Sequence, residues 1–319
     1  MLIEKLSALS GLSPSQIELI EGTASSRYFH FRVRKPNREW RDIYHPAREL
    51  KFIQKWLNKS VLKNFDVSTA AAAYEKGSSI SKNAEIHVGT RYTVRYDFQK
   101  FFPSFKRKDI RKFLEGDTQQ TKLALDERDI EFFTNIVCRN DGLCIGAPSS
   151  PILTNRMMRD FDIEISRYCD EKNLRFSRYA DDLFISSFQE GQLAETKQLV
   201  EEAVKSLVLP DLKLNVEKTA FLSMKRRRIV TGLVLTSDGK VSLGRTRKKL
   251  ISAQVHHAIL DKLDKYEVSR LSGMLAFCFD VERSFYDTLC HKYGQNNIER
   301  IRGLRSLSLK TETDEVNLD

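Results

Sequence analysis

Residues 174–187, LRFSRYADDLFISS, set two adjacent carboxylates, Asp181 and Asp182, between two runs of strand-forming residues. Along a strand, neighbouring side chains point to opposite faces. A tight turn can instead bring both toward one place. Like charges about 4 Å apart repel by roughly 4 kcal/mol at an effective dielectric near 20. A plain hairpin has no use for that repulsion, whereas a divalent cation removes it. Magnesium takes hard oxygen ligands, commonly one or two carboxylates plus phosphate oxygens. The plainer reading is a polar hairpin tip, where Asp is favoured anyway. Alone, Tyr179-Ala180-Asp181-Asp182 leaves both readings open.

A third acid shifts the balance. Residues 91–98, RYTVRYDF, are rich in β-formers and predict a strand that reaches Asp97. An Asp in such a stretch costs desolvation unless it is paired or binds metal. Its plainer role is an N-cap before Phe101-Phe102-Pro103. If this strand pairs beside the 174–187 hairpin, three carboxylates converge. Two metal ions between them could align a 3′-hydroxyl for in-line attack on an α-phosphate and stabilise the leaving oxygen.

The remaining sequence says what kind of chain carries these acids. Its 319 residues suffice for one large domain or two to three small ones, and its 41% hydrophobic and 30% charged residues are those of a folded, soluble chain. No apolar run approaches a bilayer span, and MLIEKLSALSGLS is no secretory signal. No membrane partner and a cytoplasmic location are expected. The net charge of +10 favours a polyanionic partner through counterion release, although solubility charge alone can reach it. Basic residues are dense at 225–228 and again at Arg245, Arg247, Lys248 and Lys249. The five cysteines show no CxxC spacing, as befits reduced, buried thiols.

Periodicity supplies a coarse plan. Residues 1–30 read as a helical cap with Ser13-Pro14 opening a helix. Residues 31–44 predict a hairpin turning at Pro36-Asn37. Leu50, Ile53, Trp56, Leu57, Val61 and Leu62 recur at helical spacing. Leu153, Met157, Phe161, Ile165 and Tyr168 predict one helix after Pro151, and residues 192–208 another. Residues 228–235, RIVTGLVL, read as a single strand, with helices after it. The fold class expected is α+β.

Taken in order, these segments resemble the motifs of reverse transcriptases, and specifically of bacterial retron enzymes, from about residue 30 to 295. Arg41 to Pro46 with Arg48 to Lys51 resembles the first fingers motif, and Asn83-Ala84-Glu85-Ile86-His87 the NAxxH element. YDFQKFFPSF at 96–105, GAPSSPILTN at 146–155, RYADDLFIS at 178–186 and LNVEKT at 214–219 resemble polymerase motifs A to D. Val230-Thr231-Gly232 matches the VTG element.

The resemblance implies a right-hand polymerase: fingers, a palm with an antiparallel sheet carrying the YADD hairpin, and a helical thumb. It places a helical cap at 1–30, fingers at 31–90 with part of 106–145, palm at 91–224, and a palm-end strand and RNA-binding thumb at 225–319. It implies two Mg²⁺ ions, with Mn²⁺ as a possible substitute, on Asp97, Asp181 and Asp182, with the Phe98 carbonyl as a further ligand. Lys218 would serve the leaving pyrophosphate. Phe102 would be the gate against a 2′-hydroxyl, Gly146-Ala147-Pro148 would lie along the nucleotide, and Arg38, Arg41 and Lys51 would grip the triphosphate. Asn83, His87, Arg245, Arg247, Lys248, Lys249 and His256, with His257 beside it, would serve RNA. Ile145 departs from the pattern, since related enzymes place Gln there, beside the nascent base pair.

The biology implied is RNA-directed DNA synthesis on a cognate noncoding RNA of the msr–msd type, primed from an RNA 2′-hydroxyl to give branched msDNA. Deoxynucleoside triphosphates, the DNA product, an accessory effector protein in anti-phage defence, and a host RNase H are the further partners. An intron-type or phage-exclusion reverse transcriptase, or a catalytically dispensable RNA-binding scaffold, remain the alternatives.

Overall fold

The computed structural model of the chain describes residues 1–34, 39–117, 123–223 and 227–304. The chain forms two compact units, Met1–Ser79 with Thr90–Phe221, and Ile80–Gly89 with Leu222–Asp319.

In the first unit, Ser13 and Gln16 cap helix Pro14–Gly22 reciprocally. The Gln16 N–H donates to the Ser13 hydroxyl at 3.2 Å, and the Ser13 N–H donates to Gln16 Oε1 at 2.8 Å. This helix and Leu2–Ser10 pack on helix Glu127–Val137. Buried polar contacts pin them there. The Leu2 N–H donates to Asp129 at 2.6 Å, and Arg128 donates to both oxygens of buried Glu21 at 2.6 and 2.5 Å. Strands β1 (Tyr28–Arg34) and β2 (Trp40–Pro46) pair antiparallel, with Phe31 opposite Ile43. The expected turn at Pro36-Asn37 lies outside the described residues, as does Arg38. Helix Arg48–Ser60 buries Leu50, Ile53 and Leu57, the stripe expected from their spacing.

The sheet that matters for chemistry has four strands. These are β3 (Tyr92–Asp97), β4 (Arg175–Tyr179), β5 (Asp182–Ser187) and β6 (Ala220–Ser223), in the order β4-β5-β3-β6. Val94, Tyr96, Leu183 and Ile185 are buried in its core, and the Tyr96 hydroxyl lies 2.9 Å from that of Thr196 in helix Thr196–Ser206. The single helix expected after Pro151 is two, Ser149–Met157 and Arg159–Glu171. Met158, at φ −89° and ψ 3°, leaves helical geometry and separates them. The apolar stripe continues across this break, so periodicity alone could not reveal it.

The second unit holds a three-stranded sheet in the order β7-β8-β9, formed by β7 (Arg228–Val230), β8 (Leu233–Leu235) and β9 (Val241–Ser242). Its helices are Ile80–Ile86, Arg245–Ile259, Lys265–Val281, Arg283–Tyr293 and Gln295–Gly303. The strand expected over 228–235 is in fact a hairpin. Thr231 and Gly232 have φ of 47° and 79°, both positive, the signature of a two-residue type I′ turn. Gly accepts that conformation freely, but a β-branched residue seldom does. The Thr231 hydroxyl compensates by donating to the Ile80 carbonyl at 2.9 Å. That bond joins the VTG turn to the helix carrying Asn83, so Ile80–Gly89 packs with this unit rather than with β1 and β2. Among the described residues no helix is long and apolar enough to cross a membrane.

Candidate active site

The antiparallel register of β3 and β5 sets Asp97 directly opposite Asp182, and β4 turns into β5 through Ala180 and Asp181. Directly paired residues put their side chains on one face of the sheet. The Phe98 N–H extends the ladder by donating to the Asp181 carbonyl at 3.2 Å. The three acids predicted to meet therefore lie at one end of one sheet. Burial pushes the Asp181 carboxyl above its ordinary range, and the nearby Asp97 charge adds to the push. Burial first, then the Asp181 and Asp97 charges, raise Asp182 to about 6. Arg95 offsets part of this from 3.9 Å. The Lys218 ammonium donates to Asp97 Oδ1 at 2.7 Å. Lys218 reaches that acid because the Asn215 N–H donates to the Asp97 carbonyl at 2.7 Å, holding the following turn against β3.

A residue outside the expected set holds the hairpin from behind. Arg178 is fully buried and forks onto both oxygens of equally buried Asp162 at 2.7 and 2.6 Å. Its remaining nitrogen donates to Asn155 at 3.1 Å and to the Ala180 carbonyl at 3.2 Å. Ala180 has φ 57°, a conformation glycine would favour at this first turn position. The Arg178 bond thus lands on the strained residue of the turn. A basic residue just before YADD was the one available sequence signal, and it names no partner.

A cavity of 730 Å³ opens beside Asp181, the one acid of the three that lines it, with Arg41, Phe102 and Lys218 also on its wall. Phe102 is half-buried, edge-on to Phe101 at 5.4 Å between ring centres. Arg41 is close enough to offset part of the rise at Asp181. Lys51 does not line this cavity, and its Nζ lies 3.3 Å from His45 Nε2. The Phe98 ring is buried and stacks on Phe101 at 5.6 Å. Gly146, at φ 111°, leaves no room for a Cβ, which would meet the Tyr44 carbonyl oxygen at 2.6 Å. The close approach it permits is therefore to β2, where the Tyr44 N–H donates to the Ile145 carbonyl at 2.8 Å. Ala147 is buried, and the Pro148 carbonyl accepts from Asn58 at 3.0 Å. Ile145 itself lines the cavity, as do Tyr74 and Arg139, which sequence reasoning missed. Arg139 lies 3.8 Å over the Tyr44 ring, a contact that unites two segments far apart in the chain.

The sequence profile described as "Reverse transcriptase (RNA-dependent DNA polymerase)" matches residues 33–256. The Retron Ec83 reverse transcriptase of Escherichia coli is 31% identical over 294 residues, covering 89% of this chain and 92% of that one. The chain belongs to the retron reverse transcriptases. The Retron Ec86 and Ec73 reverse transcriptases of Escherichia coli are 29% and 30% identical, over 94% of this chain in each case and 93% and 98% of theirs. Among solved structures, telomerase from Candida tropicalis aligns with a TM-score of 0.45 and 12% identity, over 91% of this chain and 54% of that chain. This reverse transcriptase is an RNA-directed DNA polymerase, acting on RNA templates and DNA products.

Reverse transcriptases use divalent metals. Among the described residues of this one, no three His, Cys, Asp or Glu side chains converge on a single point. The donor set nonetheless suits such an ion: hard carboxylate oxygens, two of them on acids whose charge is disfavoured by burial and by each other. Magnesium needs only one or two carboxylates when substrate phosphates complete its shell.

The residues expected to serve RNA lie in the second unit and divide in two. Arg245, Lys249 and His256 are exposed, at helical spacing along one face of Arg245–Ile259, with His257 exposed beside them. Arg247 is half-buried and stacks 5.5 Å from the Phe277 ring, while Lys248 pairs with Glu282 and lies 5.3 Å from the Phe285 ring. Asn83 and His87 are both wholly buried. Neither presents an exposed surface to a partner. Cys138, Cys144, Cys169 and Cys278 are buried free thiols, and Cys290 is half-buried and free.

Proposed function

We propose that Asp97, Asp181 and Asp182, with the Phe98 carbonyl, hold two magnesium ions, which manganese can replace. When bound, the ions supply a Lewis acid that activates the primer hydroxyl and neutralises charge on the leaving phosphates. The chain's own residues do the rest. Arg41 and Lys51 draw the triphosphate toward the cavity. The Phe102 ring fills the space a ribose 2′-hydroxyl would need and so selects deoxynucleotides. Lys218, shared with Asp97, delivers its proton toward the departing pyrophosphate. Arg245, Lys249 and His256 grip the RNA backbone. Retron relatives spanning nearly the whole chain support the wider reading. In it the enzyme works in the cytoplasm and copies part of a cognate msr–msd RNA from an RNA 2′-hydroxyl into branched msDNA. It serves anti-phage defence with an accessory effector, and a host RNase H removes the template.

The observation that carries this reading is the register: Asp97 opposite Asp182, with Asp181 in the turn, beside a 730 Å³ cavity. Asp181→Asn should abolish magnesium-dependent deoxynucleotide incorporation and leave RNA affinity within about twofold. Full incorporation by that variant would refute the assignment. Sequencing the nucleic acid that co-purifies with the protein tests the retron product, which should carry a 2′–5′ branch.

A further inference from the structure

A second cavity, of 760 Å³, adjoins the first in the same unit and shares Lys100, Pro103 and Lys106 with it. Four lysines line it: Lys100, Lys106, Lys108 and Lys213. Among the described residues none of the four forms an ion pair. Two carboxylates also line the basin, Asp211 at the surface and Asp109 buried beneath. Asp109 is committed to the fold through one oxygen, since its Oδ2 accepts from the Lys106 N–H at 2.8 Å. Its Oδ1 is buried and has no partner among the described residues.

Like charges gathered in one basin destabilise the fold unless something anionic visits. The arrangement is held firmly. The Gln99 N–H donates to the Lys213 carbonyl at 2.8 Å, tying the two lysine-bearing segments together. Lys100 sits at φ 44°, a left-handed conformation that a non-glycine residue adopts at some cost. The Ser104 N–H and hydroxyl, both donating to its carbonyl at 3.0 Å, hold it there.

We propose that this basin is a phosphate-binding site for free polyphosphate: the triphosphate of the incoming nucleotide on arrival and pyrophosphate on departure. Lysine ammonium groups are compact, mobile point charges suited to a phosphate chain that passes through. The unpartnered Asp109 oxygen can accept the proton of a monoprotonated phosphate or of a bound water. A basin of one dominant sign also raises the local concentration and capture rate of an oppositely charged substrate. The phosphodiester backbone of a bound strand offers the same chemistry. Adjacency to the cavity holding Asp181 and Lys218 favours the free polyphosphate. The inference rests on reading that cavity as the nucleotide's.

Lys108→Gln combined with Lys213→Gln tests it, because neither side chain lines the first cavity. The probe is inorganic pyrophosphate, added to primer extension by the full-length enzyme at fixed deoxynucleotide. The pyrophosphate concentration for half-inhibition should rise about tenfold, and the KM for deoxynucleotide should rise and lose salt dependence with kcat kept. Affinity for an RNA–DNA hybrid should hold within about twofold. Unchanged pyrophosphate inhibition overturns the proposal. So does a loss of hybrid affinity with pyrophosphate inhibition intact, which would assign the lysines to a strand. A wild-type enzyme that incorporates no deoxynucleotide would instead refute the reading of the first cavity.

Discussion

In the proposed mechanism, Lys218 and Asp97 are the pair that governs proton movement. Their 2.7 Å contact puts a cation on the acid at the end of β3, and Lys218 is 46% exposed, so its ammonium also reaches the cavity. A charge that departs with pyrophosphate needs a donor at that point. Lys218→Gln keeps a hydrogen-bond donor but removes the proton to be given. It should lower kcat about 100-fold, within the usual range for loss of a general acid, with little change in the KM for deoxynucleotide. Pre-steady-state incorporation on an RNA template reads both values. An unchanged rate would make Lys218 a surface lysine that balances Asp97.

At the scale of elements, the β4–β5 hairpin carries two of the three acids proposed to bind metal, and Arg178 with Asp162 holds it. Both side chains are fully buried, so removing one partner leaves the other charge stranded. Asp162→Asn should cost about 3 to 5 kcal/mol in urea unfolding. Loss of less than about 1 kcal/mol would mean that the network is not what fixes the turn. This network was illegible in the sequence, since nothing in an Arg before YADD or an Asp in an amphipathic helix says that the two face each other. By contrast β3, β4 and β5 could be read, because β-branched and aromatic residues cluster there and break off at the acids. The VTG hairpin could not, because Thr231 is a strand former and the φ of 47° that turns the chain depends on a bond to distant Ile80. Gly146 was legible as a glycine that must remain one. What it makes room for, the Tyr44 carbonyl, needed coordinates.

For the molecule as a whole, the sequence carries chemistry better than surfaces. Asp97, Asp181 and Asp182 could be picked out in advance because three carboxylates beside strand-forming runs suit a divalent cation, and Lys218 because its segment resembles a polymerase motif. Asn83 and His87 could not be placed from their motif, and only burial shows that they face inward. The same holds for the basic run at Arg245. Lys248 is spent on Glu282, while Arg245 and Lys249 stay open to a polyanion. Catalysis as proposed requires that three acids at one end of a four-stranded sheet bind metal together with a nucleotide. Manganese titration followed by electron paramagnetic resonance measures that directly, on enzyme carrying an RNA–DNA hybrid and a non-hydrolysable deoxynucleotide analogue. The wild type should hold about two manganese ions tightly, and Asp97→Asn combined with Asp181→Asn should lose both. Equal manganese occupancy in the two proteins would contradict it.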